Sequence, residues 1–225
     1  GYTELDEILS KSNTPIDVKL FEELAQIKDN IILDVRSQQE FIRGHIPNSI
    51  FIGLNGSFAP WVGALISDIN QPILLVVPEG RAEEAIIRLA RVGYEKSLGY
   101  LEGGINSWIE SGKSTEQITS ISAKEFELKF ENNNSPVLDV RTKTEYNNAH
   151  LYGNHVQLLS LESIHNKIGE IDIKKTYHIY CGGGYRSIIA ASILKRNGFS
   201  RLIDVSGGFS ALKETQLSMV AGKCN

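Results

Sequence analysis

Two cysteines, Cys181 and Cys224, are all that the 225 residues contain. So few argue against the disulfide framework of a secreted domain and fit a reducing, cytoplasmic setting. No Cys/His spacing suits zinc and the five histidines are scattered, so no metal site and no cofactor is expected. No apolar run approaches about 18 residues, so no segment is expected to span a membrane. There is no basic block, and 23 Lys and Arg against 27 Asp and Glu give a net charge of -4. Nucleic acid is therefore not expected as a partner. No signal peptide opens the chain, and Gly1-Tyr2 in place of an initiating Met is what a piece cut from a longer protein would show. What is present suits a packed core: 41% hydrophobic and 22% charged residues. The length allows one large domain or two of about 110 residues.

An internal repeat decides between these. Leu33-Asp34-Val35-Arg36 recurs as Leu138-Asp139-Val140-Arg141, an offset of 105 residues. The same offset carries Glu40 to Glu145, Phe41 to Tyr146, His45 to His150, Arg81 to Arg186 and Gly93 to Gly198. It slips by one at Gly103-Gly104, which matches Gly207-Gly208. The chain therefore reads as a duplicated unit: a connector over 1–14, a first domain over 15–115 and a second over 116–225.

Each unit reads as α/β. Ile31-Ile32-Leu33 and Ile73 to Val77 are short apolar runs that suit buried strands, as are Val137-Leu138 and Tyr177 to Tyr180. Ala82 to Val92 puts Ala85, Ile86, Leu89 and Ala90 on one helical face. Arg186 to Asn197 does the same with Ile189, Ala190, Ile193 and Leu194, and Gly93 and Gly198 supply the stops. Strands alternating with helices imply a mainly parallel sheet flanked by helices on both faces, with ligands beyond the carboxyl ends of the strands.

The chemistry concentrates in Cys181-Gly182-Gly183-Gly184-Tyr185-Arg186-Ser187, between a predicted strand and helix. Three glycines let successive N–H groups turn inward as an anion nest. The helix start and Arg186 add positive potential. All three favour the thiolate, the nucleophilic form of a cysteine. The bland alternative is an inert buried thiol beside a glycine turn. At the 105 offset Cys181 becomes Val76, in Val76-Val77-Pro78-Glu79-Gly80-Arg81. That loop has no thiol, Pro78 lacks a donor and Glu79 brings the wrong charge for an anion. The first unit is expected to be non-catalytic, either as a docking partner or as a degenerate duplicate kept for stability. In Gly53 to Gly63, Phe58 and Trp61 either form an exposed aromatic anchor or, more commonly for such residues, plug a small core.

The Cys181 loop, the two Leu-Asp-Val-Arg motifs, the Glu145 and His150 spacing and Gly207-Gly208-Phe209 together resemble the rhodanese family. The active loop of that family has a Cys, four intervening residues and an Arg, as here. A related phosphatase loop is one residue longer, so the shorter one suits sulfur rather than phosphate. The resemblance implies that Cys181 carries sulfur as a persulfide and that Gly182 to Ser187 donate N–H groups to the bound anion. It implies that Arg186 orients and neutralises the substrate, with Asp139, Arg141 and His150 in support. Two structural alternatives stand beside this: Arg141 and Glu145 pair one helical turn apart, and His150 is a packing residue.

The expected activity is sulfur transfer from thiosulfate or a thiol persulfide to a thiol or cyanide. The rivals are a Cys-based phosphatase or arsenate reductase and a purely binding module. Through Gly53 to Gly63, Val77-Pro78-Glu79-Gly80-Arg81, Arg88-Leu89-Ala90-Arg91-Val92-Gly93-Tyr94 and the Cys181 loop, the whole chain further resembles the C-terminal tandem of bacterial proteins that fuse a metallo-β-lactamase-fold domain to two rhodanese-like domains. That implies such a domain as the N-terminal neighbour, a persulfide-metabolising one. The chain has no His-x-His-x-Asp-His cluster, so iron chemistry would belong to the neighbour. Cys224 is expected to be an exposed thiol near the tail.

Overall fold

The computed structural model describes residues 2–130, 132 and 134–222; Cys224 lies outside them. The chain divides into two compact units, residues 1–117 and 118–225.

Unit 1 runs α1 (Tyr2–Ser12), β1 (Pro15–Ile16), α2 (Val18–Ala25), β2 (Ile31–Asp34), α3 (Gln38–Arg43), β3 (Ile50–Phe51), α4 (Phe58–Leu65), β4 (Ile73–Val76), α5 (Ala82–Ala90), β5 (Ser97–Leu101) and α6 (Gly104–Glu110). Its strands form one parallel sheet in the order β1-β5-β4-β2-β3. β2 and β4 are buried at every position. This is why Ile31-Ile32-Leu33 and Ile73 to Val76 read as unbroken apolar runs rather than as an alternation: both faces of a central parallel strand are covered. Phe21, Leu74, Leu101 and Trp108 lie in the core, and Phe21 meets Trp108 edge-on at 6.4 Å.

Unit 2 repeats the plan. It runs β6 (Thr119–Ile121), α7 (Ala123–Phe130), β7 (Val137–Asp139), α8 (Lys143–Asn148), β8 (Ala149–Leu151), β9 (Val156–Leu158), α9 (Ile164–Lys167), β10 (Tyr177–Tyr180), α10 (Arg186–Arg196), β11 (Leu202–Val205), α11 (Gly208–Leu212) and β12 (Met219–Ala221). The parallel order is β6-β11-β10-β7-β9, and β12 pairs antiparallel with β8. Cys181 follows β10, the central strand.

Gly93 and Gly198 take left-handed φ values of 92° and 91° just past α5 and α10. The Gly93 N–H donates to the Ala90 carbonyl at 3.0 Å, which closes the end of α5. Two expectations need adjustment, and the more common reading of Phe58 holds. Residues 1–14 contribute α1, which packs against α5 and β5 within unit 1. α10 is buried all round from Ser187 to Leu194, not on one face, because it packs against β10, β11 and the 3-10 turn Leu161–Ser163. Phe58 is fully buried, with the Arg88 guanidinium 5.1 Å above its ring, so it plugs the core; Trp61 is half-buried.

Candidate active site around Cys181

The strand-loop-helix order sets the site. β10 ends at Tyr180, three glycines and Tyr185 turn the chain, and α10 begins at Arg186. Cys181 is 1% exposed. The Gly184 N–H donates to its Sγ at 3.1 Å, so the loop turns back on the sulfur through that donor. Gly184 has φ 108°, a conformation that a side chain would strain.

A second segment fastens the loop from outside. The Phe209 N–H donates to the Cys181 carbonyl at 2.6 Å and the Ser210 N–H to the Gly182 carbonyl at 3.1 Å. Gly208, at φ 56°, lies so close that a methyl group on it would run into the Cys181 carbonyl. Gly207-Gly208-Phe209 is thus a mechanical part of the site.

Asp139 and Arg141 form its floor. Asp139 pairs with Tyr180 in the sheet register. Arg141 Nε and Nη2 donate to the Asp139 carboxylate at 3.0 and 2.7 Å, and Nη2 also donates to the Ala149 carbonyl at 2.8 Å. Its guanidinium lies 3.9 Å over the Phe209 ring. Both ionic groups are buried. Tyr180 is fully buried, and burial with Asp139 beside it pushes the phenol well above the ordinary tyrosine range, so it stays neutral.

Arg186 does not stand free. Its Nη1 and Nη2 donate to the two oxygens of Glu145 at 2.7 and 2.8 Å, and its guanidinium lies beside Gly182, where a side chain would otherwise point. Glu145 also closes a capping box at the start of α8, accepting from the Thr142 N–H at 3.0 Å. Arg186 above all, helped by Thr142, holds the Glu145 carboxyl at about 2 against the opposing effect of burial. The expected Arg141–Glu145 pairing is therefore replaced by two others, Arg141 with Asp139 and Arg186 with Glu145.

Ser187 is fully buried. Its hydroxyl donates to Asp204 at 2.7 Å, and Ser120 donates to the other Asp204 oxygen at 2.9 Å, which ties α10 and β6 to β11. His150 stacks on Tyr146 at 3.7 Å, and its Nδ1 lies 2.7 Å from the Tyr146 carbonyl. A carbonyl only accepts, so Nδ1 carries a proton there. His45 does the same with Phe41 in unit 1, at 3.9 and 2.8 Å. The packing alternative thus accounts for the geometry of His150. Glu145, Tyr180, Asp204 and Phe209 were not among the residues that sequence reasoning placed at the site. Glu145 left a signal in its recurrence at the 105 offset, and Phe209 in the Gly207-Gly208-Phe209 motif.

A family model described as the rhodanese-like domain matches this chain twice, over residues 17–111 and 122–215. The chain belongs to the rhodanese-like family. A Bacillus subtilis protein named as a candidate sulfur carrier, YrkF, is 35% identical over 100 residues, which cover 44% of this chain and 52% of that protein. The thiosulfate sulfurtransferase GlpE of Shewanella oneidensis is 32% identical over 78 residues, 35% of this chain and 75% of that one. The chain spans about half the length of YrkF. Among solved structures, a rhodanese-like domain protein from Staphylococcus aureus aligns at 27% identity and a TM-score of 0.40, covering 45% of this chain and 97% of that one.

The rhodanese-like unit 1 keeps the floor and loses the cradle. Arg36 clasps Asp34 at 2.8 Å and reaches the Gly44 carbonyl at 2.8 Å, as Arg141 does in unit 2. Arg81, the counterpart of Arg186, turns instead to Glu84 at 2.7 Å and Asn55 at 2.8 Å. A methyl on Gly104, the counterpart of Gly208, would meet nothing nearer than the Val77 carbonyl at 3.7 Å. The loop has moved off, leaving a cavity of about 560 Å³ lined by Arg36, Glu40, Pro78, Glu79 and Gly104 among others.

Proposed function

We propose that unit 2 is a sulfurtransferase that carries sulfane sulfur on Cys181. The observation that carries this reading is the Sγ at the end of the central strand, held by the Gly184 N–H at 3.1 Å inside the loop. The Cys181 thiolate attacks the outer sulfur of thiosulfate or of a thiol persulfide. The donor's S–S bond breaks, and sulfite or a thiolate leaves with the electron pair. A thiol such as glutathione, or cyanide in an assay, then takes the outer sulfur and frees the thiolate. The loop dipoles would carry the negative charge of the terminal sulfur. The matched relative named a thiosulfate sulfurtransferase supports the reaction class.

Unit 1 has no thiol at this place and serves as a non-catalytic partner. By the resemblance of the whole tandem, its natural neighbour is an N-terminal metallo-β-lactamase-fold domain, with the pair as its sulfur-handling module in the cytoplasm. Intact mass after incubation with thiosulfate or with glutathione persulfide tests the covalent step. A gain of roughly 32 Da, removed by cyanide and absent from Cys181→Ser, is expected. No adduct from either donor would overturn it.

A further inference from the structure

The loop motif brings one cation to the site, Arg186, and Glu145 has already claimed it with both oxygens. Capping does not explain that pairing. In unit 2 Glu145 accepts from the Thr142 N–H and hydroxyl at 3.0 and 2.9 Å. In unit 1 Glu40 accepts from the Ser37 N–H and hydroxyl at 3.0 and 2.8 Å, yet Arg81 turns to Glu84 and Asn55. The same capping box thus forms without the arginine. Its link to the loop arginine occurs in the unit that has the cysteine.

The consequence is electrostatic. Around Cys181 the side-chain charges cancel in pairs, Arg141 with Asp139 and Arg186 with Glu145. Attraction for an anion is left to the loop N–H groups and to the start of α10, while Lys213 is engaged with the Phe209 ring, its Nζ 5.7 Å from the centroid. A helix start is equivalent to roughly half a positive charge. That suits the single charge of a persulfide sulfur. It is a poor match for a compact dianion that must approach a thiolate at bonding distance, where like charges repel most.

We infer that Glu145 sets the donor class of this site: by neutralising Arg186 it favours a thiol persulfide, whose reacting end carries at most one negative charge, over a dianion such as thiosulfate. This rests on the sulfurtransferase reading above. In the favoured step the Cys181 thiolate attacks the outer sulfur of R–S–SH. The S–S bond breaks, RS⁻ leaves with the electron pair, and Cys181 holds S–SH.

The test is the rate at which Cys181 gains sulfur from thiosulfate and from glutathione persulfide, followed by rapid quench and intact mass. Glu145→Gln keeps an oxygen for the cap and removes the charge. It should raise the thiosulfate-to-persulfide rate ratio about tenfold or more, the effect of freeing one charged hydrogen-bonding group. Glu40→Gln, the same change in unit 1, should leave the ratio unaltered. Arg186→Gln strands Glu145 and should lower the ratio. The double variant, with neither charge, should return it to the wild-type value, and it tests the same point should Glu145→Gln alone not fold. A ratio unchanged in Glu145→Gln overturns the inference. So does a double variant as poor on thiosulfate as Arg186→Gln alone, since Arg186 would then serve the anion directly. Wild-type protein that gains sulfur from neither donor sinks the underlying reading as well.

Discussion

Arg141 and Asp139 show how a residue that looks functional in a sequence can be structural in the fold. The pair is buried, closes on itself and holds the Ala149 carbonyl. Its twin, Arg36 with Asp34, does the same with the Gly44 carbonyl in a unit that has no thiol. Geometry that persists without the chemistry is scaffold. His178 on β10 is a different case. It is 4% exposed, its Nε2 has no hydrogen-bond partner, and Phe126 lies edge-on at 5.2 Å. Burial, with Lys129 adding to it, pushes the imidazole down from 6.5 to about 4. The folded state therefore refuses a proton that the unfolded chain accepts. The associated stability is fully present above 6.5 and is lost as pH falls toward 4. Over that range the loss is on the order of 3 kcal/mol. Urea unfolding of wild type and His178→Leu at stepped pH checks this. The acid limb should be shallower in the variant, and identical slopes would exclude His178 as the cause.

At the scale of elements, the site depends on one backbone approach. The start of α11 presses on the loop through the Phe209 and Ser210 N–H groups, and Gly208 permits it by having no side chain. Gly208→Ala should force the two apart, since the obstacle is backbone rather than a flexible side chain. Displacement of a reacting group by about 1 Å can cost roughly a hundredfold. Sulfur loading of Cys181 should fall by at least tenfold with the far-UV circular dichroism unchanged. Gly104→Ala, the open counterpart in unit 1, should leave loading as it was. The strands and helices themselves were legible beforehand, because β2, β4, β7 and β10 are buried at every position and apolar but for Asp34, Asp139 and His178, and α5 and α10 are followed by glycines with φ above 90°. The contact between α11 and the loop was not, since no local pattern records which distant backbone a glycine touches.

For the whole molecule, duplication supplies its own control. Sheet register sets Val76 opposite Asp34 as it sets Tyr180 opposite Asp139, so Val77, and not Val76 as the 105 offset suggests, stands where Cys181 does. Unit 1 differs from unit 2 by more than that substitution: Arg81 is turned to Glu84, Pro78 and Glu79 line the cavity, and the loop stands off Gly104. Returning the thiol alone should therefore not return the chemistry. In Val77→Cys/Cys181→Ser, thiosulfate or glutathione persulfide should give no persulfide adduct by intact mass. A cyanide-labile gain of about one sulfur would show that the cysteine suffices and the cradle is dispensable.

The sequence by itself determined the duplication, the α/β class, the place of Cys181 at a strand end and the loss of the thiol from the first unit. Each is local or periodic: a repeat at one offset, apolar runs, a cysteine followed by glycines. The pairing of charges was decided only by tertiary structure. Arg141 and Glu145 are four apart in sequence and suggest a helical ion pair, yet Arg141 lies before α8 begins and folds back onto Asp139. That leaves Glu145 to a partner 41 residues away. Sheet register brings Asp139 beside Tyr180, and the length of an arginine side chain does the rest. Which cation answers which carboxylate depends on distances between elements, and spacing along the chain does not encode them.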